Sequence, residues 1–267
     1  MQSAIYLFCL GSSGQVPLFK GLGISGNEPI FHEDFRDITA VVCNVSLDDY
    51  VGSAAEERLQ DLAWVGPRAL RHEQVIEEVM QYSPVLPTRF GTLFSSRDSL
   101  LELMENNYQE IDQFLTNVSD KEEWAVKSTF SRSDVKKRLL SEKLAASSEN
   151  LASMSPGLRY FKERQIIAEV DKGLSRWLVD LCRTVIEELR GFSADSAKRS
   201  LIKALEDNTM EVVANWAFLV SEHEVQTFEA VIERWNKDLS EEGIFLKCSG
   251  PWPPYTFSPT LEMELGQ

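Results

Sequence analysis

Residues 158–190 have the pattern of one long amphipathic helix, and the length of that helix limits the folds open to the rest of the chain. Large apolar residues recur there at steps of three and four, which is the spacing of one helix face; they are Ile167, Val170, Leu174, Trp177, Leu181 and Val185. Such a helix extends ~45 Å, because each residue adds ~1.5 Å. Most of the stripe is expected to pack on the chain's own sheet, and an overhanging end could serve a partner.

Short apolar or β-branched runs on both sides of this helix predict strands. In the first part of the chain they are residues 4–10, 29–35 and 38–47, and in the second part residues 122–130, 211–222 and 244–250. The order strand, long helix, strand, helix, strand in the second part is typical of a ferredoxin-like sandwich.

Signals for helices lie between the third predicted strand, which ends at residue 47, and the fourth, which begins at residue 122. Of two helices after residue 47, the second is predicted to begin at Gly66-Pro67. The pair Ser95 and Asp98 has the capping-box pattern for a further helix that continues to Leu115. A fourth, charged helix is predicted after the strand at residues 122–130. Between it and the long helix, the Ser-rich residues 147–157 are predicted to be a linker.

These elements predict an α+β protein of two domains, since 267 residues lie between one and two domains of ~150 residues each. Residues 1–118 form the first domain. Residues 119–250 form the second, a modified ferredoxin-like α/β sandwich with inserted helices. Residues 251–267 form a Pro/aromatic C-terminal tail that packs on the body.

The tail contains the run SGPWPPYTFSP at residues 249–259. Proline fixes φ and lacks an N–H, so this run cannot be a helix interior or a central strand. Its rings, from Trp252, Tyr255 and Phe257, are expected to fold back onto the protein; contact with a partner is the alternative. If Trp252 is packed, Trp252→Ala should lower stability by ~3 kcal/mol.

Charge and composition exclude several function classes. A net charge of -15 opposes binding to nucleic acid and to anionic membrane surfaces. No apolar run reaches the ~18 residues of a membrane helix, and the first residues lack the basic start of a signal peptide. The sequence therefore predicts a cytosolic protein, and its four scattered cysteines are expected to be buried apolar residues.

The run GLGISG at residues 21–26 fits the dinucleotide pattern G-x-G-x-x-G, but its context does not. The pattern must follow a strand directly and open a helix, whereas these residues lead into another predicted strand. A small-molecule or nucleotide-binding enzyme that uses the glycine-rich loop 11–26 is kept as the alternative function. An RNA-binding module is a third reading, which the charge and the absent aromatic signature oppose.

The three histidines, His32, His72 and His223, are too dispersed for a local metal motif, and His72 is expected at the edge of the core. No nucleophile elbow or Walker loop is present. We therefore predict no catalytic, cofactor-binding or metal-binding residues.

Six runs along the chain form a distinctive combination: AIYLFCL (4–10), DLAWVGPRALRHEQVIEEV (61–79), VLPTRFGTLFSS (85–96), EEWAVK (122–127), NWAFLV (215–220) and GPWPPYTF (250–257). In this order they resemble the GvpL/GvpF family of gas vesicle proteins, over almost the whole chain. The fourth and fifth runs lie in the half for which the family likeness also implies a ferredoxin-like fold.

The resemblance implies a non-enzymatic protein of gas vesicle assembly, in the cytoplasm and associated with vesicles. It would be a minor structural component or a chaperone-like binder of the hydrophobic major shell protein, with other gas vesicle proteins as further partners. The signature residues are candidates for the interface: Trp64, Arg71, His72, Glu73, Arg89, Phe90, Gly91, Trp252, Pro253, Pro254, Tyr255 and Phe257. The sequence leaves the oligomeric state open.

Overall fold

The computed structural model describes residues 3–17, 21–201 and 210–262. The chain divides into two compact units, Met1–Glu123 with Pro251–Gln267, and Trp124–Gly250. Both contain helices and sheet, so the α+β class predicted from the sequence is confirmed. The division into independently folding domains at residues 118 and 250 stays a prediction.

The first unit is built on an antiparallel sheet in which the N-terminal strand is central. Its strands are β1 (Ser3–Ser12), β2 (Ile30–Phe35), β3 (Ile38–Ser46), β4 (Val85–Pro87) and β5 (Leu93–Phe94). They follow the order β2-β3-β1-β4, and β5 also pairs with β1. Residues 4–11 of β1 are all buried, because strands flank it on both sides and helices cover it. The short strands β4 and β5 were not predicted, since the turn residues around them conceal the pattern.

The described residues of this unit form four α-helices: α1 (Ser53–Gln60), α2 (Leu62–Met80), α3 (Arg97–Asn106) and α4 (Tyr108–Val118). The prediction that α2 begins at Gly66-Pro67 was wrong by four residues. Asp61 sets the start instead, because its carboxylate accepts a hydrogen bond from the N–H of Ala63 at 2.9 Å. The predicted cap of the next helix was displaced by one residue, since Ser96 and Ser99 form the capping box.

One helix predicted beyond Ser95 is two helices, and Asn107 separates them. The side chain of Asn107 donates to the carbonyl of Leu103 and to that of Glu262, and it accepts from the N–H of Glu262 at 2.9 Å. Such side-chain bonds to the backbone compete with the helical pattern. The break is therefore set in part by a residue 155 positions away.

The second unit holds a four-stranded sheet in the order β7-β8-β6-β9. The strands are β6 (Lys121–Phe130), β7 (Asp195–Lys198), β8 (Glu211–Ser221) and β9 (Ile244–Trp252). The short polar edge strand β7, antiparallel to β8, was missed because it lacks any apolar alternation.

The helices of this unit are α5 (Arg132–Ala146), α6 (Ser148–Ala152), α7 (Pro156–Arg190) and α8 (Val225–Leu239). The predicted Ser-rich linker thus contains a short helix, α6. The long helix is confirmed, although its buried stripe is rotated slightly, with Ile166, Leu178 and Cys182 buried where Ile167, Trp177 and Leu181 were expected. Before Ile166, no residue of α7 is buried. No helix among the described residues combines the length and hydropathy that a membrane crossing requires.

Candidate functional site

Signature residues from distant parts of the chain meet around His72 in the first unit. His72 is fully buried on α2, with Nδ1 2.9 Å from the hydroxyl of Tyr6 and Nε2 2.9 Å from the carbonyl oxygen of Thr88. A carbonyl can only accept, so Nε2 carries the proton and Nδ1 accepts from Tyr6. The Tyr6 oxygen in turn accepts from the N–H of Gly91 at 3.2 Å. One hydrogen-bond chain therefore ties β1, α2 and the 85–92 segment together.

Aromatic rings surround this hydrogen-bond chain, and several of them belong to the signature residues. The Phe90 ring meets the His72 and Tyr6 rings edge to face, at centroid distances of 6.1 and 6.2 Å. Trp64 packs edge to face on Tyr50 at 5.6 Å. Gly91 follows Phe90 with a φ of +84°, where a side chain would be strained, so the Phe-Gly pair places both the ring and the turn.

Burial sets the protonation of this network. It raises the pKa of Tyr6 and lowers the pKa of His72, and the hydrogen bond to Thr88 opposes the second shift only in part. Both groups are thus neutral at pH 7. Held away from solvent, the two side chains join β1 and α2 as neutral hydrogen-bond partners.

The His72 network makes stability depend on pH. Because the pKa of His72 in the folded protein lies below its ordinary value of 6.5, its contribution is complete above ~pH 6.5 and is lost as the pH falls through the folded pKa. We expect urea unfolding to show this loss as the pH falls below ~6.5, in the wild type and in His223→Gln, whose side chain is exposed. An equal loss in His72→Leu would contradict the assignment.

The C-terminal segment adds a second set of signature contacts to the first unit. Pro253 and Pro254 are buried, and the half-buried ring of Tyr255 packs against the core around Tyr6. The Tyr255 hydroxyl donates to Glu73 Oε1 at 2.8 Å. These contacts order the run as a short segment of turns, which is consistent with its prolines.

Glu123 and Thr256 hold the same segment from its other side. Glu123 is buried, and its carboxylate accepts from both the N–H and the hydroxyl of Thr256, at 2.9 and 2.6 Å. Both residues stand in signature runs, but neither was among the candidate site residues, because nothing in the local sequence indicates that Glu123 and Thr256 bond to each other.

Trp252 is placed differently from its neighbours. Its side chain is 42% exposed, so the ~3 kcal/mol loss expected of a packed tryptophan does not apply to it. The half-buried Phe257 is held in the turn through its N–H, which donates to the carbonyl of Pro254 at 3.2 Å. The aromatic run therefore divides into packed rings and one exposed ring.

Two signature arginines lie outside the His72 network. Arg71 Nε donates to the carbonyl of Leu22 at 2.9 Å and so ties α2 to the glycine-rich loop. Arg89 is exposed, next to the turn that contains Phe90. Trp64 is half-buried at the margin of the core, where the guanidinium of Arg68 lies 4.0 Å above its ring.

The glycine-rich loop is occupied by a carboxylate of the chain itself. Glu28 accepts from the N–H groups of Ser25 and Asn27, and its carbonyl accepts from Gly23 at 2.7 Å. A phosphate needs such N–H donors, and the charge of Glu28 would repel it. Residues 18–20 of the loop lie outside the described residues. In the part that is described, the geometry disfavours the nucleotide-binding alternative.

Side chains suited to metal or thiol chemistry are not gathered in the described residues. No group of three or more His, Cys, Asp or Glu is found there that could hold a metal ion. Cys9, Cys43 and Cys182 are buried as predicted, whereas Cys248 is half-buried. Burial raises the pKa of Cys43 to about 12 and that of Cys248 to about 11, so both are thiols at pH 7.

Comparison with known proteins identifies the family of this protein. The family model described as "Gas vesicle synthesis protein GvpL/GvpF" matches residues 4–259. Gas vesicle protein L of Streptomyces sp. (strain CB03234) is 25% identical over 244 residues, covering 91% of this chain and 88% of that protein. Gas vesicle protein L1 of Halobacterium salinarum is 20% identical over 268 residues, with 96% and 90% covered.

Two solved structures have a similar fold. The crystal structure of GvpF from Anabaena sp. PCC7120 has a TM-score of 0.66 at 15% identity, covering 99% of this chain and 100% of that one. GvpF from Microcystis aeruginosa has a TM-score of 0.63 at 16% identity, with 96% and 99% covered. With the family match over almost its whole length, the chain belongs to the GvpL/GvpF family of gas vesicle synthesis proteins.

Proposed function

We propose that the protein acts in gas vesicle assembly as a non-enzymatic, chaperone-like binder of the hydrophobic major shell protein. The family match from residue 4 to residue 259 carries this proposal, because it includes both units and every signature run. We place the activity in the cytoplasm, on growing vesicles.

Physical chemistry supports a protective role. A shell subunit that faces gas on one side exposes a large apolar surface in water before it is assembled, and such surfaces aggregate. A binder with a net charge of -15 would cover that surface and keep the resulting complexes apart by repulsion.

The topology of the second unit supports a ferredoxin-like assignment. Numbered along the chain, the four strands of its sheet lie in the order second, third, first, fourth, with helices after the first and third strands. This is the order of a split βαβ arrangement. The helices α5 and α6 are the insertion, ahead of the long α7.

Trp252 is the signature residue best placed to touch the shell protein. It is exposed, while Tyr255, three residues later, packs on the core. Tryptophan provides a large apolar area with little entropy to lose, and it is common among residues that dominate binding. Trp252 would then be the residue that contacts the shell protein, on a segment that the packed Tyr255 holds in place.

We expect Trp252→Ala to weaken protection of the shell protein about tenfold while it leaves the fold intact. The assay dilutes denatured shell protein into buffer and follows aggregation by light scattering against the concentration of each variant. Tyr82→Ala is the matched control, since Tyr82 is an exposed aromatic residue outside the signature runs. Equal protection by Trp252→Ala and the wild type would remove Trp252 from the contact surface.

A further inference from the structure

The start of α7 carries an exposed apolar patch, here called the tip patch and formed by Leu158, Tyr160 and Phe161. Phe161 is 77% exposed and Leu158 is 64% exposed. The two are three positions apart, so they lie on the same side of the helix. Single exposed apolar side chains are ordinary on protein surfaces. A group of them on one helix is less common and often marks an interaction site.

Basic residues surround the tip patch. Within the same turns, Arg159 pairs with Glu163, whereas Lys162 and Arg164 bond to the neutral partners Gln165 and Tyr160. The positive charge extends further: residues 132–176 hold ten Lys and Arg against six Asp and Glu, which leaves 17 against 36 in the rest of the chain. The tip is thus part of a basic region in an acidic protein.

A second apolar patch, here called the α2 patch, is formed by Leu59, Leu62, Gly66 and Leu70. Leu62 is 84% exposed and Leu70 is 61% exposed. Residues 62, 66 and 70 are four positions apart, so they follow one helix face over ~12 Å. A Cβ at Gly66 would meet nothing within 4 Å, so an open gap separates the two leucines.

The α2 patch has acidic surroundings. Residues 48–71 hold five acidic residues, Asp48, Asp49, Glu56, Glu57 and Asp61, against three basic ones, Arg58, Arg68 and Arg71, so the flank is net acidic. Arg58 pairs with Asp49, and the Asp61 carboxylate caps α2. Glu56 and Glu57 are exposed on α1, which packs against α2.

We propose that the tip patch of one copy of this chain docks on the α2 patch of a second copy. The ring of Phe161 enters the gap over Gly66 between Leu62 and Leu70, and the basic tip faces the acidic flank. A net charge of -15 makes copies repel each other in general, so the basic tip is the region that another copy attracts. The contact joins two different patches, so it can repeat into a ring or an open chain.

Variants that each disable one patch test this contact, with the purified protein alone. Phe161→Asp disables the tip patch. Leu62→Asp disables the α2 patch, and Asp suits the first turn of a helix, so folding is retained. We expect sedimentation velocity to show association of the wild type up to ~100 µM and monomers for either variant alone.

The mixture of the two variants gives the sharpest result. Each variant keeps one intact patch, so an equal mixture should form a dimer with one copy of each and nothing larger. Val179→Asp is the matched control, because Val179 is a 59% exposed apolar residue elsewhere on α7 and its replacement should leave association unchanged.

Three outcomes would overturn the proposal: a wild type that stays monomeric, a mixture that stays monomeric, or a Val179→Asp variant that is as impaired as Phe161→Asp. If the wild type is monomeric, the light-scattering assay with the shell protein shows what the patches bind instead. A loss of protection in the patch variants would assign the patches to the shell protein. Since this experiment contains no shell protein, its failure leaves the proposed function to be judged on its own assay.

Discussion

His72→Leu is expected to lower the free energy of unfolding by ~3 kcal/mol, because it leaves the Tyr6 hydroxyl and the Thr88 carbonyl without the ring that joins them in the interior. Urea unfolding followed by fluorescence measures the change. His223→Leu is the control, since its side chain is exposed and its replacement should change stability by no more than ~0.5 kcal/mol.

A double-mutant cycle separates the network from simple packing. Tyr6→Phe alone should destabilise by ~2 kcal/mol, because it leaves His72 Nδ1 and the Gly91 N–H unpaired. Combined with His72→Leu, it should add much less than that, since neither partner of the Tyr6–His72 bond is then left alone. Strict additivity of the two changes would contradict a direct bond between them.

Tyr255→Ala is expected to lower the free energy of unfolding by ~3 kcal/mol, because it removes a ring that packs on the core and the hydrogen bond to Glu73. Tyr255→Phe, which keeps the ring, should lose only ~1 kcal/mol. Thermal and urea unfolding report both values.

Trp252→Ala is the matched comparison for Tyr255→Ala, since both truncate an aromatic ring of the same run. The exposed Trp252 should lose ~1 kcal/mol or less. Equal losses at the two positions would contradict the division of the run into packed and exposed rings.

Long periodic elements could be predicted from the sequence. The strands β1 and β3 and the helix α7 were placed within two residues at each end, because their apolar patterns are long and uninterrupted. The short polar β7 and the two-residue β5 have no such pattern, so only their pairing partners reveal them.

Details set by distant residues could not be read from the local sequence. The split between α3 and α4 depends on bonds between Asn107 and Glu262. The start of α2 is a different case, because it is set locally by Asp61, whereas the prediction relied on Pro67.

The candidate site was predictable as a set of residues but not as an arrangement. The signature runs named His72, Phe90, Gly91 and Tyr255, and all of them lie in the first unit. Tyr6 and Thr88, which complete the hydrogen-bond chain, also stand in signature runs, but a single hydroxyl in an apolar or turn-rich run does not indicate which residue it bonds to. That Trp252 is exposed and Tyr255 packed also required the structure, because both fit a proline-aromatic run equally well.

The aggregation of the shell protein on dilution from denaturant tests the central claim most directly. We predict that the purified wild type, added at equal molar concentration, keeps the shell protein in solution and lowers its light scattering at least several-fold compared with an unrelated protein of equal charge. Scattering that is the same with and without the protein, and no complex on gel filtration, would contradict a role as a binder of the shell protein.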